Sequence, residues 1–119
     1  MAGKEDVPMK SRTDTESRQG LRLLQMLEGR WKAQILSELC NHNTARFSTL
    51  KKSLPGITNT MLAKSLRELE KDGLVYRKEF KEIPLHVEYS FTEMGRDLLP
   101  IFNEINNFDS KHEKAFGER

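Results

Sequence analysis

Between Thr58 and Asp72 the residue types fall into two opposed sets. Leu62, Leu66 and Leu69 recur at helical spacing, while Thr60, Lys64, Arg67 and Lys71 fall on the far side of the same wheel. One face asks for a core and the other for anions. The groups near the start of this stretch can do more than neutralise charge. The Asn59 amide can pair bidentately with adenine, the Lys64 ammonium can donate to guanine, and the methyl groups of Thr60 and Ala63 can rest against the thymine methyl. These four are the candidates for reading base edges, although Asn59 and Thr60 also fit a first helical turn with no reading role.

Charge surrounds this stretch. Residues 51–81 contain eight Lys or Arg against four Asp or Glu. The chain as a whole carries only +2, so the remainder is two charges negative. Ser48, Lys51, Lys52, Arg67 and Lys71 are candidates for phosphate contact, where charge matters more than exact position. Arg77, Lys78 and Lys81 extend the set, beside Glu79, Glu82 and His86. For each lysine taken alone, a solvated surface charge is the plain alternative.

Catalytic patterns find no counterpart. His42, His86 and His112 are scattered, and the chain holds neither an HExxH, a CxxC nor a GxGxxG segment. No cofactor or metal is expected. Cys40 is the single cysteine, which rules out an internal disulfide and fits a reducing cytoplasm. It stands two residues from His42, at the end of an amphipathic helix, and reads as a packed small residue rather than a nucleophile. No run approaches the roughly 18 apolar residues of a membrane span, and the first residues lack a signal-peptide core. The expectation is a cytoplasmic protein with no membrane partner.

The elements that must position these groups follow from periodicity. At 119 residues, 36% of them hydrophobic and 32% charged, the chain fits one domain with a thin core. Residues 1–13 mix charge with small polar residues and read as a disordered arm. Residues 14–108 form the domain, and 109–119 a polar tail expected to fray. Helices are expected over Glu16–Glu28, interrupted by Gly29, and over Arg30–Cys40, followed by a turn at Asn41–Thr44. Phe47, Leu50 and Leu54 mark a short third helix stopped by Pro55-Gly56. Thr58 caps the fourth helix and Asp72-Gly73 ends it. The period then falls to two: Leu74–Phe80 and Val87–Phe91 are two strands joined by a loop containing Pro84. Thr92 caps a last helix from Glu93 to about Phe108, which Pro100 must bend or whose start it must shift.

The fold class is therefore mainly α with a small β ribbon, a winged helix-turn-helix. In that motif the second helix enters the major groove, the first crosses the backbone, and the ribbon lies as a wing on phosphates or in the minor groove. Double-stranded DNA is the expected partner. A winged-helix module that binds protein instead is the alternative.

The first and last helices carry more apolar surface than so small a core uses. Leu21, Leu24, Leu98, Ile101, Phe102, Ile105 and Phe108 are the candidate homodimer interface, and a monomer that folds both helices onto its own core is the other arrangement. Trp31 and Phe102 are candidate walls of an effector pocket, or packing residues in a regulator with no ligand. A small-molecule effector is left unassigned.

At Gly29–Leu39, GRWKAQILSEL, the chain resembles the G-x-W-x-x-x-I-L-x-x-L opening of the HxlR-type transcriptional regulators, relatives of the MarR group. Further matches are RFS-x-L from Arg46, LPGI from Leu54, Met61-Leu62, LRELE-x-DGLV from Leu66, VEYSFT from Val87 and GR-x-L from Gly95, so the resemblance spans about residues 20–108. It implies a bacterial homodimer paired through its terminal helices on a palindromic operator, with Arg46–Ser48 opening the motif's first helix and Arg77–Val87 forming the wing. Many such regulators carry a cysteine just before the first helix, used by some to sense oxidants or electrophiles. Ser11–Gly20 contains none, which leaves that mechanism without its residue.

Overall fold

A computed structural model describes residues 14–117; the arm expected over residues 1–13 lies outside them. Helix α1 (Asp14–Met26) leads through Gly29 to α2 (Lys32–His42). A three-residue strand, β1 (Thr44–Arg46), runs straight into α3 (Phe47–Ser53), and α4 (Asn59–Lys71) follows. Strands β2 (Val75–Phe80) and β3 (His86–Phe91) form the hairpin, and α5 (Glu93–Arg96), α6 (Leu98–Lys111) and α7 (Glu113–Phe116) close the chain.

The turn between α3 and α4 is built from backbone chemistry. Pro55 presets its own φ, Gly56 takes φ +91°, and the Ile57 amide donates to the Leu54 carbonyl at 3.1 Å, the pattern of a type II turn. Thr58 then caps α4, its Oγ1 accepting from the Met61 amide at 3.1 Å. At the other end, the Gly73 amide donates to Glu70 and the Leu74 amide to Leu69, both at 3.0 Å, with Gly73 at φ +83°. This reciprocal pair satisfies the last carbonyls and turns the chain into the sheet.

Sequence expectation and structure diverge at the sheet. It has three antiparallel strands, in the order β1-β3-β2, not two. The segment placed at the end of a turn, Thr44, opens a strand whose register is Thr44 to Ser90, Ala45 to Tyr89 and Arg46 to Glu88. On the other side of β3, Val75 faces Phe91 and Phe80 faces His86. The expected single last helix is also divided. Pro100 sits in the first turn of α6, where its missing N–H breaks no intrahelical bond. Helix α6 runs three residues past Phe108, and α7 occupies part of the stretch expected to fray.

One core joins these elements. Ile35, Leu36 and Leu39 of α2, Leu50 of α3, Leu62 and Leu69 of α4 are wholly buried, with Leu66 nearly so. Val75, Tyr89 and Phe91 close it from the sheet, and Trp31 and Leu98 from either flank. The Trp31 indole N–H, though buried, has no hydrogen-bond partner among the described residues. Leu23 and Met26 of α1, with Leu27 just past its end, pack against the cluster from outside. The molecule measures 64 × 36 × 22 Å, and its radius of gyration of 17.5 Å exceeds the roughly 13–14 Å of a compact chain this long. No helix among the described residues is long and apolar enough to cross a membrane.

Candidate nucleic-acid interface

Burying Leu62, Leu66 and Leu69 fixes the rotation of α4, so its opposite face must meet solvent. Asn59, Thr60, Lys64, Arg67 and Lys71 are all exposed there, and Ala63 is half-buried at the boundary. The four candidate base readers thus share the first two turns of one helix whose outward side is open. On α3, Ser48 and Lys52 are exposed and Lys51 is half-buried. A lysine from α2 braces the arrangement from behind: Lys32 Nζ lies 2.8 Å from Glu68 Oε1. That hydrogen bond, helped by Lys64 and Arg67, holds the Glu68 carboxyl below its ordinary range.

The wing is less open to an anion than its sequence suggests. Arg77, Lys78 and Lys81 are exposed. Arg77, however, donates to Glu79 Oε2 at 2.5 Å, a contact that raises the guanidinium's pKa further and occupies part of its donor fork. The Lys78 ammonium sits 4.9 Å over the Phe80 ring. Lys81 has no such tie among the described residues. At the tip, Ile83 is fully exposed and Leu85 largely so.

Between wing and helix-turn-helix stands a polar link absent from the sequence reading. Arg46, in β1, places Nη2 3.2 Å from His86 Nδ1, and His86 Nε2 lies 2.8 Å from Glu88 Oε2. A neutral ring carrying its proton on Nε2 satisfies both contacts, with Arg46 donating to Nδ1. Glu82 Oε1 lies 3.4 Å from that same nitrogen. The Phe80 ring covers the imidazole, with centroids 4.6 Å apart. Arg46 stands opposite Glu88 in the strand register, and only the third strand brings the two together.

The apolar candidates divide. Leu21, Leu24, Ile101, Ile105 and Phe108 are exposed, so α1 and α6 both present uncovered hydrocarbon. Leu98, assigned from sequence to the same surface, is instead a core residue, 5% exposed, because the division at Asp97 turns the first residue of α6 inward. Phe102 is partly buried against the core. Trp31, the other candidate pocket wall, lines a small cavity together with Gly29, Met61 and Lys64. No cluster of metal-ligating side chains occurs among the described residues.

Comparison with known proteins matches residues 26–116 to the HxlR-like helix-turn-helix family model. The chain is 44% identical over 82 residues to the HTH-type transcriptional regulator YdzF of Bacillus subtilis, covering 69% of this chain and 75% of that protein. Among solved structures, it is similar to the redox regulator HypR in its reduced form, with a TM-score of 0.75 and 33% identity over 82% of this chain and 95% of HypR. A MarR-family transcriptional regulator from Enterococcus faecalis aligns with a TM-score of 0.74 and 32% identity, over 96% of this chain and all of the other.

Proposed function

Because this chain belongs to the HxlR-like helix-turn-helix family, we propose that it is a cytoplasmic transcriptional regulator, binding double-stranded DNA sequence-specifically as a homodimer on a palindromic operator. The observation that carries this reading is the two-sided α4. Its leucines are buried while Asn59, Thr60 and Lys64 stand exposed beside a basic surround, which is what a helix needs to enter a major groove. Lys52, Arg67, Lys71 and Lys81 supply phosphate contacts that set register. The exposed side chains of α1 and α6 pair two copies, and a twofold axis then sets the reading helices about one DNA turn, roughly 34 Å, apart.

HypR is described as a redox regulator. No thiol switch is part of the present proposal, since Ser11–Gly20 has no cysteine and burial pushes the Cys40 thiol up, away from the reactive thiolate.

Binding to duplex fragments recovered from a random pool, measured across a salt series, tests the reading. A DNA reader loses affinity steeply with salt as counterions are released. A chain that shows no such dependence is a protein-interaction module, and the half-site spacing of the recovered fragments checks the dimer.

A further inference from the structure

A second site lies away from the reading face, where the end of α2 meets β1, β3 and the start of the C-terminal helices. The cavity there measures about 320 Å³, at the small end of the roughly 300–1,000 Å³ of ligand pockets. Arg96 lines it, and the guanidinium has no hydrogen bond or ion pair among the described residues. Leu39, Phe91 and Leu99 supply its apolar lining. The hydroxyls of Thr44 and Ser90, partners across the β1-β3 register, add hydrogen-bonding groups at the rim.

The backbone bordering the cavity is strained. Asn43, the residue after α2, adopts φ 62° and ψ −62°, a region that non-glycine residues seldom occupy and that lies outside the left-handed helical well usual for a helix stop. Two attachments hold it there: its amide donates to the Leu39 carbonyl at 3.1 Å, and the next residue is already paired with Ser90. Strain of this kind persists where surrounding structure over-determines it, and here the strained residue lines the cavity together with Arg96, an exposed and unengaged cation.

We propose that this cavity binds a small organic carboxylate, its anion paired with Arg96 and its hydrocarbon body against Leu39, Phe91 and Leu99. One planar guanidinium matches one carboxylate bidentately, and Leu39, Phe91 and Leu99 give a hydrocarbon body the apolar contact that an inorganic anion would not use. The site is independent of the DNA reading.

Cys40 also lines the cavity, half-buried, and is the only cysteine in the chain, so its modification rate reports occupancy directly. The experiment measures the reaction of the full chain with an aromatic disulfide reagent in the presence of benzoate, phenylacetate or indole-3-acetate, each against its neutral amide. At ten times its dissociation constant, a carboxylate that binds here slows the reaction about tenfold. Its amide leaves the rate unchanged, Arg96→Gln abolishes protection, and Arg96→Lys restores part of it. Leu99→Trp, which fills the cavity from its apolar wall, removes protection by a second route. The proposal is overturned if none of the three acids protects, if acid and amide protect alike, or if Arg96→Gln keeps full protection.

Discussion

Lys32 Nζ and Glu68 Oε1, 2.8 Å apart, fasten the first turn of α2 to the flank of the helix that presents the candidate reading residues. The contact depresses the Glu68 carboxyl below its ordinary value of 4.5. A carboxyl whose folded pKa lies below its unfolded one stabilises the fold above the unfolded value, and that contribution is lost as pH falls through the folded one. In Lys32→Met, the Glu68 titration midpoint followed by NMR should rise toward 4.5, and the acid limb of the stability profile should change below that pH while the neutral limb keeps its shape. An unmoved midpoint would show that the pair does not persist in solution.

Exposed groups on α4 and α3 should separate by kind of effect. Asn59→Ala or Lys64→Ala should change preference among duplexes, by about 1–3 kcal/mol at the base concerned. Lys52→Ala should weaken all duplexes about equally and reduce the salt slope by about one. Binding isotherms on matched and single-mismatch duplexes decide it, and equal uniform losses for all three would remove base reading from α4.

Thr92 and Gly95 join the sheet to the C-terminal helices. The Thr92 hydroxyl donates to the Gly73 carbonyl and accepts from the Gly95 amide at 2.9 Å. A Cβ on Gly95 would lie 2.1 Å from the Leu74 carbonyl oxygen, a backbone atom with no room to retreat. Gly95→Ala should therefore destabilise by about 1–3 kcal/mol or more, and Thr92→Val by about 1–2 kcal/mol. Thermal unfolding measures both, and a neutral Gly95→Ala would mean that α5 approaches the sheet less closely.

Helix α6 should respond oppositely at its two faces. Ile105→Glu and Phe108→Glu place charge on exposed hydrocarbon, so sedimentation should show a shift to monomer with the fold kept. Leu98→Ala removes buried volume and should cost roughly 2–5 kcal/mol whatever the association state. If the two glutamate variants sediment as wild type, the pairing surface lies elsewhere.

The caps, stops and helix faces were legible from sequence because their causes are local. Thr58 and Thr92 cap, Pro55-Gly56 turns, Gly73 ends α4, and the leucine stripe fixes which side of α4 is wet. Strand β1 was not, since Thr44, Ala45 and Arg46 are too few to show a period of two and their partners stand more than forty residues away. The Arg46–His86 link followed from a long-range arrangement of the same sort, forty residues apart in the chain. The wing's electrostatics turn on a local tie, since Arg77 and Glu79 lie two apart on one face of β2, yet no charge count distinguishes an arginine so tied from a free one. The cavity brings Cys40 and Asn43, at the end of α2, together with Arg96 of α5 at a spacing that no motif encodes.

Strand β1 also determines how the reading head can move. It is continuous with α3 at one end and zipped along the wing's central strand throughout, with Arg46 bolted to His86. A flexible loop at Thr44–Arg46 would let helix and hairpin open like independent fingers. With the strand in place they behave as calipers locked at one setting, so in the proposed dimer a change in span between the two heads would come from the joint between protomers rather than from within either one.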